Sequence, residues 1–107
     1  MSLLDEATVA RMSGDSKRHR VLRQEAFENE RQAAELLTDA YEYEPTRSIL
    51  FRSAATLALD CADYGETNRL AAAGLAGNPP MAVAQELRDV QAQALNPPAP
   101  VVTSASG

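Results

Sequence analysis

The sequence predicts an all-α protein, and three observations favour this class. Hydrophobic residues make up 45% of the 107 residues, whereas aromatic residues make up 5% and tryptophan is absent. Alanine supplies much of the apolar total, which favours closely packed helices over a sheet sandwich rich in Val, Ile and aromatic residues. Glycine or proline stands where helices should end, at Gly14, Pro45, Gly65 and Gly77. We therefore expect four to five antiparallel helices in a single domain over residues 1–95.

The first two predicted helices lie before Pro45. Residues 2–13 carry a loose stripe of apolar residues at helical spacing, which predicts a short first helix. From Lys17 to about Tyr43 there is no Gly or Pro, and the apolar residues recur three, four or seven apart. This pattern is typical of a long amphipathic helix. Pro45 should end it, because the residue before a proline is pushed out of the α region.

Two further helices are predicted between Pro45 and Gly77. The first runs from Ile49 to about Ala62, with Ser48 as its N-cap. The second runs from Glu66 to Ala76, and we expect Gly77 to adopt the left-handed conformation that commonly ends a helix.

A fifth predicted helix runs to about Leu95, with Asn78 as its N-cap and Pro79 at its first position. Residues 96–107 are rich in proline and then in small polar residues, which predicts a disordered tail.

The charge and the single cysteine limit which partners and which cellular location are expected. The formal charge is −5, and the first 23 residues hold five basic against three acidic side chains, which leaves −7 on the remainder. An acidic body makes nucleic acid an unlikely main partner, because neutralising phosphates supplies most of that affinity. No apolar run is long enough to cross a membrane, and the N-terminus does not resemble a signal peptide. One cysteine, Cys61, excludes an internal disulfide and fits a cytoplasmic location.

No residue pattern indicates catalysis, a cofactor or a metal site. His19 is the only histidine and has no His, Cys or paired carboxylate beside it in sequence, so we expect a solvated surface residue. Cys61 falls at an apolar helix position and should be a buried, inert thiol. Asp60, Asp63 and Glu66 lack the spacing of a calcium loop and should be exposed charges at helix ends. We therefore expect a protein that is not an enzyme.

An internal period connects the helices. Pro45 and Pro79 each close a predicted helix, and they stand 34 residues apart, which is the period of a tetratricopeptide (TPR) repeat. Residues 49–79 match the repeat at further positions. Phe51 is the aromatic residue of the first helix, and Asp63-Tyr64 form the turn. Ala55 and Gly74 are the small residues of the two helices, and Asn78-Pro79 form the ending. The preceding segment matches only the second half of a repeat, through Ala33, Leu37, Ala40 and Pro45. The chain thus resembles about one and a half TPR repeats.

The resemblance implies a function and a binding surface. TPR proteins bind other proteins, mainly in a groove lined by the first helix of each repeat. By position, five residues of this chain would face that groove: Arg52, Ser53, Thr56, Leu59 and Asp60. Only one of them, Arg52, is a cation, so the capture of a C-terminal carboxylate by several basic residues, known in part of the family, does not carry over.

The expected function is therefore a protein–protein interaction or scaffold module, with another protein or a peptide segment as its partner. Because repeats bury their faces on their neighbours, so short an array needs capping helices or a second copy, and we expect a homodimer. The alternative is a helical-bundle regulator that binds nucleic acid or an anionic partner through the basic residues 17–23. The same period gives Gly74 a role as a close-contact position between helices, whereas the alternative for it is a tolerated surface glycine.

Overall fold

The computed structural model describes residues 16–97, and this part of the chain is all-α. It contains α1 (Ser16–Leu36), a short 3₁₀ helix (Tyr41–Tyr43), α2 (Thr46–Asp60), α3 (Tyr64–Leu75) and α4 (Met81–Leu95), with no β-strand among these residues. The prediction of an all-α class is confirmed, and α4 ends at the predicted residue. The predicted first helix and residues 98–107 of the predicted tail lie outside the described residues.

The helix α2 is the centre of the fold. It packs against α1, α3 and α4, whereas α3 also packs against α4 and α1 packs against no other helix than α2. Arg23, near the start of α1, reaches the carbonyl of Asp60 at the end of α2, so these two helices run antiparallel. The arrangement is compatible with TPR-like antiparallel helical hairpins.

The core is built from small side chains between a few large ones. The buried apolar residues are Phe27, Ala34, Phe51, Ala54, Ala55, Ala58, Leu70, Ala71, Val83, Leu87, Val90 and Ala94. Alanine brings helix backbones close together, since it adds little thickness between them and has the highest helix propensity. The alanine-rich composition is thus explained by close contacts around α2.

The structure corrects the length of the long helix. The helix α1 ends at Leu36 rather than near Tyr43, and three turn residues and the 3₁₀ helix follow. A residue outside the turn holds it in place: the buried side chain of Arg47, in α2, donates a hydrogen bond from Nε to the carbonyl of Thr38 at 3.0 Å. Glu44 does adopt the extended conformation expected before Pro45, with φ −73° and ψ 145°.

Arg47 joins three segments from a position that is 1% exposed. Besides Thr38, its guanidinium donates to the carbonyl oxygens of Ala73 at 2.7 Å and Gly74 at 3.4 Å, in the last turn of α3. It also lies over the ring of Tyr41, 4.8 Å from the centroid. A buried cation needs such partners, since an uncompensated charge in the interior is strongly destabilising.

Glu44 accepts backbone hydrogen bonds from both residues that were expected to act as caps. Its carboxylate accepts a hydrogen bond from Ser48 N at 3.0 Å and another from Asn78 N at 2.9 Å. Ser48 is therefore not the N-cap of α2 but a buried residue of its first turn, and α2 begins at Thr46. Asn78 is not the N-cap of α4 either, because Pro80 holds that position without a side-chain cap.

The left-handed residue is an alanine, and not the glycine expected. Ala62, directly after α2, has φ 59°. Its N–H donates to Leu59 O at 2.9 Å, and Asp63 N–H donates to Ala58 O at 2.9 Å, which is the hydrogen-bond pattern of a Schellman motif. Asp63 then caps α3, which begins at Tyr64, by accepting a hydrogen bond from Glu66 N.

Gly77 lies outside the left-handed region, so the prediction of a left-handed Gly77 is wrong. Glycine is required there because a side chain would not fit. A Cβ atom there would collide with the Glu44 carboxylate and would lie 2.5 Å from Arg47 Nη1.

Gly74 is a close-contact position, as the repeat period predicts. The residue is buried within α3, and a Cβ atom there would lie 3.0 Å from Phe51 Cβ, 3.0 Å from Leu87 Cδ1 and 3.1 Å from Leu87 Cδ2. Both α2 and α4 therefore approach α3 at the same point. Close packing of three helices offsets the roughly 1 kcal/mol that glycine costs in a helix interior.

Candidate functional site

A broad open cleft lies between α1 and α2. Its volume is about 650 Å³, and seven residues line it: Ala26, Asn29 and Glu30 from α1, with Arg52, Ser53, Thr56 and Leu57 from α2. Three of the five predicted site residues, Arg52, Ser53 and Thr56, are therefore brought together on one wall. They share a face of α2 because Thr56 follows Ser53 by three residues and Arg52 by four, and residues at these spacings are neighbours on a helix surface.

The opposite wall was missed by reasoning from the sequence. Ala26 and Asn29 are exposed, and Glu30 is half-buried on the side of α1 that borders the cleft. Their spacing of three and four is visible in the sequence, but it does not say which face of α1 meets α2. Amide, hydroxyl and carboxylate groups thus face one another across an open channel with small apolar side chains between them.

Arg52 is paired within the chain. Its Nη1 donates to Glu86 Oε1 of α4 at 2.8 Å, and both side chains keep contact with solvent, at 32% and 52% exposure. An exposed ion pair of this kind contributes little to stability, about 0–1 kcal/mol. The expected cation of the groove is therefore already neutralised by α4, and the cleft combines apolar surface with neutral polar groups and the carboxylate of Glu30.

The other two predicted residues lie elsewhere. Leu59 is half-buried and packs against the core, so it lines no cleft. Asp60 is exposed and borders a second, smaller cavity of about 200 Å³ at the far end of α2, together with Arg20, Arg23, Gln24, Cys61 and Ala62.

The second cavity is not arranged for nucleophilic chemistry. Burial raises the pKa of the Cys61 thiol, and the charges of Asp60 and Asp63 raise it further, against the opposing effect of Arg23. A raised pKa keeps the thiol protonated, whereas a reactive cysteine needs the thiolate. Cys61 is half-buried rather than fully buried as expected, and His19 is half-buried rather than fully solvated.

Metal ligands are not gathered anywhere in residues 16–97. No group of three or more His, Cys, Asp or Glu side chains in this range is placed to hold a metal ion. Among the same residues, none of the four helices combines the length and the apolar character that a membrane span requires.

Three polar contacts join residues that are 34 positions apart. Arg69 pairs with Glu35 at 2.7 Å, Asn78 N donates to Glu44 at 2.9 Å, and Arg52 pairs with Glu86 at 2.8 Å. These contacts connect α1 to α3, the turn before α2 to the turn before α4, and α2 to α4. Residues one period apart are therefore in contact at three places in the described chain.

Comparison with known proteins gives no relative for this arrangement. No family model matches the chain, and neither a curated protein nor a solved structure is significantly similar to it.

Proposed function

We propose that this protein is a TPR-like interaction module whose cleft between α1 and α2 binds a segment of another protein. The observation that carries the proposal is the cleft, because it unites Arg52, Ser53 and Thr56 in one open channel of about 650 Å³. A small molecule prefers a deep, enclosed pocket, whereas an open channel that mixes apolar surface with polar groups suits an extended or helical segment.

The repeat character is supported by the contacts at one period. In a helical repeat, equivalent residues of successive repeats stack on one another, so residues separated by the repeat length become neighbours. The three polar contacts at a separation of 34 residues fit this stacking. They support a 34-residue stacking unit, and the TPR resemblance stays part of the proposal.

The cleft also favours a particular kind of segment. Asn29, Ser53 and Thr56 offer both donors and acceptors, which suits the alternating polar groups of a peptide backbone. Glu30 forms no ion pair with the residues described, so a basic side chain of the partner would find an available carboxylate there. We therefore infer a partner segment with small apolar side chains and a lysine or arginine. The proposal excludes catalysis and places the protein in the cytoplasm, where the free Cys61 would stay reduced.

The test compares two exposed helix positions, Thr56 in the cleft and Ala72 on α3 outside every cleft described. A photo-crosslinking amino acid at each position is expressed in the source cell, and the cross-linked proteins are compared. Partners captured at Thr56 and absent at Ala72 are then bound in solution to purified variants.

Thr56→Arg should weaken that binding by roughly tenfold or more, since a long charged side chain would fill the channel, while Ala72→Arg should leave it unchanged. Equal binding by both variants, at unchanged thermal stability, would remove the cleft from the proposal.

A further inference from the structure

A second surface runs along α1 and shares no residue with the cleft. Residues that recur every three or four positions form one face of a helix, and here they are Lys17, Val21, Gln24, Glu28, Gln32 and Leu36, which we name the outer stripe. Four of these six side chains are polar. Val21 is 48% exposed and Leu36 is 85% exposed, so apolar groups stand near both ends of the stripe without cover from the described chain.

The outer stripe has no helix to pack against among residues 16–97, because α2 is the sole helix that contacts α1. Its middle is not free of partners: Glu28 accepts hydrogen bonds from Arg31, whose Nη1 also pairs with Glu35 at 2.8 Å. Glu28 is thereby neutralised at the centre of the stripe. The centre of the stripe is therefore polar without a net charge. The remaining charges lie near its two ends, positive at Lys17 and negative at Asp39.

The two ends of the described helix carry opposite charges. Its first described turn holds Lys17 and Arg18 and no acidic residue. No basic residue occupies the last turn, and Asp39 follows in the turn beyond Leu36, although a helix C-terminus favours positive charge. Neither Lys17 nor Asp39 forms an ion pair with another described residue.

Antiparallel pairing with a second copy of this chain would bring opposite charges together at both ends. If Glu28 lies near a two-fold axis, Lys17 comes opposite the partner's Asp39, Val21 opposite the partner's Leu36, and Gln24 opposite the partner's Gln32. Each of these three pairs is chemically matched and occurs twice in the dimer, while the two Glu28 side chains that meet at the axis are each paired with Arg31 of their own chain. A parallel pairing would instead place Lys17 against its own copy, where like charges repel.

We propose that the protein forms a two-fold homodimer through antiparallel contact of the outer stripes of α1. The stripe is self-complementary, which is the requirement for an interface that uses the same patch on both subunits. Lys17, Val21, Leu36 and Asp39 are the residues that set the register. The proposal uses none of the residues that line the cleft, so partner binding there can fail without affecting the dimer.

The first experiment measures mass in solution by sedimentation equilibrium. The wild-type mass should rise from 11.5 kDa towards twice that value as the protein concentration increases. The association should weaken when the ionic strength is raised from about 0.05 M to about 1 M, because exposed charges are screened. A mass of 11.5 kDa at every concentration would overturn the proposal.

Charge reversal then tests the register. Lys17→Glu and Asp39→Lys should each weaken association by roughly tenfold or more, because each places like charges at both symmetric contacts. The double variant with both changes should restore association, and so should an equimolar mixture of the two single variants. The matched controls are Arg88→Glu and Asp89→Lys, which make the same charge changes at exposed positions of α4 and should leave association unchanged.

Disulfide cross-linking tests the direction of pairing in a Cys61→Ser background. A mixture of Val21→Cys chains and Leu36→Cys chains should form cross-linked pairs under mild oxidation, whereas either chain alone should form few. Efficient cross-linking of Val21→Cys to itself would indicate parallel pairing and refute the proposed dimer. Failure of the double charge reversal to restore association would also refute it. If wild-type protein is a monomer and Lys17→Glu instead abolishes nucleic-acid binding, the basic end serves that other partner and the proposal is wrong.

Discussion

Two glycines of the same helix should respond in opposite directions to alanine. Gly74 is buried in α3, whereas Gly65 lies exposed in the first turn of α3 with no atom within 4 Å of a Cβ built there. At Gly65 an added methyl group meets solvent, so Gly65→Ala should stabilise the fold by about 0.5–1 kcal/mol through helix propensity alone. This variant is the matched control for Gly74→Ala.

At Gly74 the same gain is opposed by crowding. Carbon atoms pack best about 3.5–4.0 Å apart, and the new Cβ would stand 3.0 Å from Phe51 Cβ and 3.0 Å from Leu87 Cδ1. The Leu87 methyl groups end a flexible side chain and can rotate. Phe51 Cβ is attached directly to the backbone of α2, so α2 and α3 must separate by a few tenths of an ångström.

The two effects give a net loss for Gly74→Ala. Overpacking costs about 1–3 kcal/mol and the propensity gain returns about 1 kcal/mol, which leaves a destabilisation of about 1 kcal/mol. Gly74→Leu should lose about 3 kcal/mol or more, since the larger side chain displaces Leu87 as well.

The free energy of unfolding is measured in urea by circular dichroism, and Tm should shift by roughly 4–8 °C for each kcal/mol. If Gly74→Ala is as stabilising as Gly65→Ala, the close contact among α2, α3 and α4 does not constrain this position and the reasoning is wrong.

Two further predictions concern the turns. Ala62→Gly should stabilise the fold by about 1 kcal/mol, because a left-handed alanine is strained by about 1–2 kcal/mol and glycine is not; urea unfolding measures this, and an unchanged or lower stability would contradict the left-handed assignment. Burial by itself raises the pKa of Glu44. Hydrogen bonds from Asn78 N and Ser48, together with the charge of Arg47, have the larger combined effect and lower this pKa below the ordinary value of 4.5. A lowered folded-state pKa means that the stabilisation is complete above the unfolded value and is lost as the pH falls through the folded one. Stability should therefore decline below about pH 4.5, and Glu44→Gln should reduce both the stability at pH 7 and this acid dependence; an unaltered pH profile in the variant would show that Glu44 is not the group responsible.

The position of a helix end could be predicted where a residue at that end determines the backbone conformation. Pro45 forces Glu44 out of the helix, and α4 ends at Leu95 before Asn-Pro, both as expected. The close contact at Gly74 was also accessible, because the 34-residue period placed it opposite neighbouring helices. These features depend on local backbone chemistry or on a regular repeat.

The errors arose where a distant side chain decides the local structure. The end of α1 is set by Arg47, whose buried guanidinium holds the Thr38 carbonyl, and no residue in the turn itself predicts this. Likewise Ser48 and Asn78 seemed good caps by residue type, but Glu44 takes both of their backbone N–H groups. One wall of the cleft was found and the other missed for the same reason, since the face that α1 turns to α2 is fixed only by packing.

The isolated attachment of α1 has a consequence for motion. Of the helices in residues 16–97 it packs against α2 alone, and the Glu35–Arg69 ion pair links its side chains to α3. Opening at this seam would leave α2, α3 and α4 packed together, so α1 should exchange its amide hydrogens through a partial opening of lower free energy than global unfolding. The cleft lies on that seam and the outer stripe lies on the same helix. A ligand at either surface that binds the closed form alone therefore slows exchange throughout α1, and amide exchange in this one helix would report both kinds of binding.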